Sequence, residues 1–145
     1  MKIISPFILV VFLLFISSCE REGNEPKKNF EIKGFAQKGP YRSGTNITVV
    51  EVKNNLMPTG LNYYTTVTDN MGSFILPDVE LSSNYVELMA DGFYFDENWG
   101  KITYEKLLLK AIADLSDQSE ININILTHIS VERVKYLVQN EGKTF

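Results

Sequence analysis

The sequence predicts an all-β protein: an antiparallel Greek-key β-sandwich of about seven short strands, followed by a short C-terminal helix. Three observations predict it. Runs rich in Val, Ile, Thr, Tyr and Phe recur between Phe30 and Leu126. Turn formers punctuate them at Gly39-Pro40, Pro58 with Gly60, Asp69-Asn70-Met71-Gly72, Pro77-Asp78 and Asp91-Gly92. Helical spacing of apolar residues then follows in Val131, Val134 and Val138. A chain of 145 residues with 44% hydrophobic and 22% charged residues is enough for one ordinary globular domain.

Taken in order, Phe30 to Ala36 alternates in part, with Phe30, Ile32 and Gly34 on one side and Glu31, Lys33 and Phe35 on the other. Gly39-Pro40 breaks that strand. Asn46 to Lys53 is a second strand whose apolar parity shifts between Val49 and Val50, which predicts a bulge or burial on both faces. Asn54 to Gly60 reads as a loop, and Leu61 to Thr68 has strand composition. Asp69 to Gly72 predicts a hairpin turn, Ser73 to Leu76 the returning strand, and Pro77-Asp78 its stop. Tyr85 to Ala90 places Val86, Leu88 and Ala90 on one face. Helix and strand compete over Leu107 to Leu115. Glu120 to Leu126 alternates cleanly, with Ile121, Ile123 and Ile125 predicted inward. Thr127 is the predicted cap of the last helix, which should end near Asn140-Glu141-Gly142.

Before the folded body lies a leader. Lys2 is a short basic start, and Phe7 to Ile16 is an unbroken run of ten apolar residues. A bilayer span takes about 20, so the run fits the core of a secretory signal instead. Ile16-Ser17-Ser18-Cys19 resembles the bacterial lipobox, and Cys19 is the only cysteine of the chain. Cleavage before Cys19 and lipidation of its sulfur are therefore expected. The predicted organisation is a signal peptide over 1–18, a flexible tether over 19–29, the sandwich over 30–126 and the helix over 127–145. Ten tether residues after the cysteine reach roughly 17–19 Å, which would hold the body close to the membrane. Glu20, Glu22 and Glu25 in that tether are either an outward-sorting signal or a means of keeping it soluble.

A family resemblance rests on three stretches. Gly34, Gly39-Pro40 and Ser43 to Val49 resemble the start of a carboxypeptidase-regulatory-like domain, a transthyretin-like sandwich. Thr66-Val67-Thr68-Asp69-Asn70-Met71-Gly72-Ser73-Phe74 resembles that family's Thr-x-Thr-Asp-x-x-Gly-x-Phe hairpin. Tyr85 to Phe93 resembles its later strand and Gly-aromatic end. Lys38-Gly39-Pro40, Ala90 to Phe95 and Asn122 to Thr127 are also similar to a narrower group of bacterial lipoproteins without assigned activity, in which further helices usually follow. By that similarity the chain would be a truncated product ending at Phe145. The resemblance implies an accessory or interaction module and brings no catalytic residues.

The candidate ligand-binding residues are Tyr94, Asp96, Glu97 and Trp99, within Phe93-Tyr94-Phe95-Asp96-Glu97-Asn98-Trp99. Rings beside carboxylates and an amide can stack on sugars and bond their hydroxyls. The competing reading buries alternate rings in the core. Asp96 with Glu97 also raises a glycosidase pair, and Asp91 with both raises calcium ligation, without any EF-hand spacing. His128, the only histidine, has no nucleophile elbow near it. No catalytic residue, metal site or cofactor is predicted, so the chain reads as non-enzymatic. The net charge is −4, and losing Lys2 with the leader makes it −5. That balance argues against nucleic acid and against electrostatic docking on anionic lipid. The expected partners are the membrane, through the lipid on Cys19, and an envelope protein or glycan. The expected location is the bacterial cell envelope, in the outer membrane.

Overall fold

The computed structural model describes residues 26–145. The expected leader and Cys19 lie outside the described residues. Seven strands form a two-layer sandwich, with a three-stranded sheet in the order β4-β1-β9 facing a four-stranded sheet in the order β3-β2-β5-β8. The strands are β1 (Lys28–Gln37), β2 (Asn46–Val52), β3 (Pro58–Thr66), β4 (Ser73–Leu81), β5 (Tyr85–Gly92), β8 (Leu107–Asp114) and β9 (Ile123–Asn124). A two-stranded ribbon, β6 (Phe95–Asp96) with β7 (Lys101–Ile102), stands between β5 and β8. The pairing is antiparallel except for β9, which runs parallel to β1. The first four strands make the Greek key: β1 pairs with β4 in one sheet while β2 and β3 pair in the other.

The period-2 pattern explains the core. Ile32 and Ala36 of β1, Ile47 and Val49 of β2, and Val86, Leu88 and Ala90 of β5 are all fully buried. Leu107 to Leu115 resolves as a strand, because Leu109, Ala111 and Ala113 alternate inward beside β5. Several edges depart from the pattern read along the chain. Pro77-Asp78 does not stop β4. It forms a bulge there, two residues opposite Glu31 alone, with Asp78 at φ 52°. The bulge moves the inward set from Phe74 and Leu76 to Val79 and Leu81, which a regular strand would have turned outward. β3 starts at Pro58, so the preceding loop is shorter than expected. The irregularity of β2 falls between Val50 and Val52.

The Thr66–Phe74 stretch is an arch between the two sheets. Only Val67 and Phe74 bridge across it. The Asp69 carboxylate accepts from the Met71 N–H (2.9 Å), the Ser73 N–H (3.0 Å) and the Ser73 hydroxyl (2.8 Å). Gly72 has φ 86°, and a Cβ there would collide with the Ala36 carbonyl oxygen. Beyond the arch, the Tyr63 and Thr65 hydroxyls donate to the carbonyls of Glu80 and Ile75, covering the open edge of β4.

The helix α1 (Ile125–Glu141) begins two residues before the expected start. Its cap is Asn124, whose side chain accepts from the Thr127 N–H at 3.0 Å, while the Thr127 hydroxyl accepts from the Asn124 N–H at 2.9 Å. Thr127 is thus the reciprocal partner of the cap. Ile125 consequently leaves the strand pattern and is 43% exposed, whereas Ile121 and Ile123 are buried as expected. The helix ends at Gly142 in the left-handed conformation. It lies on the outer face of β5 and β8. Val131 is fully buried there, and Lys135 Nζ meets the Glu87 carboxylate at 2.6 Å. Lys110 joins the same carboxylate at 3.7 Å. Leu126 and Ile129 lie on the opposite, solvent side.

Candidate functional site

The connections collect at two poles. Lys28, the β2–β3 and β4–β5 turns and the far end of β8 lie at one, as the Lys28–Leu81, Val52–Pro58 and Tyr85–Asp114 partners show. The opposite pole carries the β1–β2 loop, the Asp69–Gly72 arch and the segment from Phe93 to Lys106. The ten residues of β1 separate the two poles by about 30 Å.

At the second pole, Phe93 to Lys106 is held down by the β1–β2 loop. The Arg42 N–H donates to the Phe93 carbonyl at 2.9 Å, and the Phe95 N–H to the Pro40 carbonyl at 2.8 Å. Tyr41 is fully buried beneath it. Its hydroxyl donates to the Leu107 carbonyl at 2.9 Å, and its ring packs 6.0 Å from that of Tyr94. Burial pushes the Tyr41 phenol well above the ordinary tyrosine range. It serves as a neutral donor. Lys38 donates to the Tyr94 hydroxyl at 3.2 Å, and this contact raises its ammonium above the usual lysine value.

The ribbon turns because Asp96 accepts from the N–H groups of Asn98 (2.9 Å) and Trp99 (3.3 Å), with Gly100 at φ 61° completing the turn. The Thr103 N–H donates back to the Tyr94 carbonyl at 3.0 Å. An open groove of about 460 Å³ is formed by the ribbon and the segment that leads from it into β8. Tyr94, Asp96, Trp99, Lys101, Tyr104 and Lys106 are among the residues lining it. Trp99 is 71% exposed and Tyr104 81% exposed. Lys101 Nζ is within reach of both rings, 5.2 Å and 5.1 Å from the two centroids.

The structure brings Tyr94, Asp96 and Trp99 of the sequence-predicted set to one groove. It does not bring Glu97, which is exposed and faces Gly39 on the other side of the ribbon. A paired-carboxylate mechanism through Asp96 and Glu97 therefore has no shared cleft. Of the rings in this segment, Tyr94 packs on the core and Trp99 does not. Among the described residues, no three His, Cys, Asp or Glu side chains are placed to hold a metal ion. His128 is on α1 and is not among the groove's lining residues; its Nδ1 is buried and without a hydrogen-bond partner. Reading the sequence only as far as Trp99 misses Lys101, Tyr104 and Lys106. The turn pair Asn98 and Gly100 flanking Trp99 marks the return of a hairpin that carries them.

A further missed residue is Glu51, fully buried on the inward side of β2 at the first pole. Its carboxylate accepts from the Ser82 N–H (2.6 Å), the Ser82 hydroxyl (2.9 Å), the Ser83 N–H (2.8 Å) and the Thr59 hydroxyl (2.8 Å). Burial alone would raise its pKa. The donors outweigh burial and hold it below the ordinary glutamate value. This is a staple between the two sheets and not a reactive group.

No protein family, curated protein or solved structure matches the chain.

Proposed function

We propose that this protein is a non-enzymatic binding module of the bacterial cell envelope, anchored by lipid on Cys19 and presenting the ribbon groove to its partner. One observation carries the reading. Two aromatic rings, Trp99 and Tyr104, stand exposed, each about 5 Å from the ammonium of a single lysine, and line one groove at the pole opposite the start of β1. Exposed aromatic rings that a fold holds in place are the usual anchors of recognition surfaces. The polarity of the sandwich fits the anchor. A chain entering at Lys28 turns the groove away from the surface to which Cys19 would be attached. The likeness to carboxypeptidase-regulatory-like domains supports an accessory role over a catalytic one.

Trp99 is the only tryptophan in the sequence, so its emission reports on the groove directly. Titrating the purified protein with solubilised envelope polysaccharide and protein fractions should shift that emission saturably with one of them. Tyr104→Ala should weaken the response. Absence of a saturable shift with every fraction, or an unaltered response in Tyr104→Ala, removes the groove as the binding surface. The anchor is tested separately by intact mass. The mature protein should begin at Cys19 and carry a diacylglycerol thioether, and Cys19→Ala should lose both the lipid and membrane retention.

A further inference from the structure

Resting on the groove being a binding surface, we infer that its ligand is an anionic saccharide, a glycan with carboxylated sugar units. The argument starts from Lys101. Its ammonium lies 5.2 Å from the Trp99 ring centroid and 5.1 Å from that of Tyr104, so the two centroids are at most about 10 Å apart. A disaccharide covers that span. The apolar C–H faces of its rings match the exposed aromatic faces, and the indole N–H and phenol hydroxyl remain free to meet sugar hydroxyls.

Charge then decides the class of sugar. Lys101 and Lys106 line the groove, and among the described residues neither is in an ion pair. Of the two carboxylates there, Asp96 already accepts from the Asn98 and Trp99 N–H groups and is turned toward its own backbone. Asp96 keeps its charge, so Asp96 and Glu105 balance Lys101 and Lys106 in number, but no ion pair joins any of the four among the described residues, and Lys101 is the ammonium held at the two exposed rings. Any sugar stacking on Trp99 and Tyr104 displaces the Lys101 ammonium from the rings, and a neutral sugar offers it only water and uncharged hydroxyls in exchange. A sugar carboxylate accepts from that ammonium while the same ring stacks, so the two contacts reinforce each other. The overall charge of −4 is no obstacle, because the relevant charges are local and act within about a Debye length of roughly 8–10 Å.

The test uses the full chain and the emission of Trp99, with three probes: a short oligohexuronate, the same oligomer with every carboxyl methyl-esterified, and polyglutamate. The oligohexuronate should bind about tenfold more tightly than its ester, a difference of one charge-assisted contact. That preference should shrink as salt rises. Lys101→Gln, a change at an exposed position, should abolish the preference, and Lys101→Arg should keep it. Equal or tighter binding of the ester, or a preference that survives Lys101→Gln, overturns the anionic assignment while leaving the groove as a binding surface. Polyglutamate binding as well as the oligohexuronate overturns the saccharide class in favour of an acidic polypeptide. A flat response to all three probes, alongside a positive response to an envelope fraction, overturns this inference alone.

Discussion

Glu51 is the position where a single atom change has the most to reveal. Its carboxylate gathers four donors from three residues in two places: Thr59 at the start of β3, and Ser82 and Ser83 in the turn between β4 and β5. Glu51→Gln keeps the shape but removes the charge. Each contact then falls from the charge-assisted range to the neutral one, a loss of about 1 kcal/mol apiece, and the Thr59 hydroxyl must reverse its role. Relief from burying a charge returns part of this, which leaves a net loss of about 2 kcal/mol. Glu51→Ala strands the Ser82 and Ser83 N–H groups and opens a void, for about 4 kcal/mol. Urea unfolding followed by far-ultraviolet circular dichroism measures both. The sign of the pH dependence follows from the depressed folded pKa. The Glu51 contribution is complete above the unfolded glutamate value of about 4.3 and disappears as pH falls through the lower folded value. The gap between wild type and Glu51→Gln should therefore be widest near neutrality and close in acid. Asp69 is also held low by its turn, but it is present in both proteins and cancels in the difference. A Gln variant within about 0.5 kcal/mol of wild type at neutral pH, or a gap that does not close in acid, refutes the staple.

Three other substitutions probe the rest of the frame. Gly72→Ala should cost about 2–3 kcal/mol, because it strains a φ of 86° and meets the Ala36 carbonyl; a midpoint unchanged in thermal unfolding would contradict the arch geometry. Asn124→Ala should cost about 1 kcal/mol, and Thr127→Ala a similar amount through the same capping box, with the double mutant showing less than the sum. Tyr41→Phe removes the bond to the Leu107 carbonyl and should cost about 1 kcal/mol, while hydrogen exchange of the Thr103 N–H speeds up if the ribbon rests on that ring as described.

What the sequence discloses and what it conceals divide along physical lines. Alternation in Tyr85 to Ala90 gives the right inward set because β5 is central and bonded on both sides, so nothing disturbs its pleat. The same reasoning fails at Ile125, where alternation continues in the letters after the chain has become helical. Asn124 and Thr127 settle the boundary by their mutual hydrogen bonds, which outweigh the strand pattern. It fails again at Pro77-Asp78. Proline is a stop in a regular strand but is admissible at a bulge, and the jump of apolar parity from Leu76 to Val79 is the signal that a bulge was present. The groove is half legible. Trp99 announces itself by type, but Lys101 and Tyr104 become partners only when the ribbon folds back, a pairing of two residues per strand that no periodicity discloses. Glu51 is least legible, because its donors come from serines 31 and 32 positions downstream.

The two poles differ in how firmly they are built, and that difference bears on binding. At the first pole, Glu51 ties the β4–β5 turn to β2 and β3, and α1 covers the sheet above it through Val131 and the Lys135–Glu87 pair. At the second, the ribbon has two residues in each strand and depends on a few backbone bonds to the β1–β2 loop, with one fully buried ring, Tyr41, under it. Elements with few buried contacts open at lower free energy than the core they stand on. A ligand that bridges Trp99 and Tyr104 would supply the cross-ribbon contacts that the fold leaves out. Binding should therefore slow hydrogen exchange across Asp96 to Tyr104 while leaving β2 and β5 unchanged. Protection spread evenly over both sheets would mean that the ligand acts on global stability and not on the ribbon.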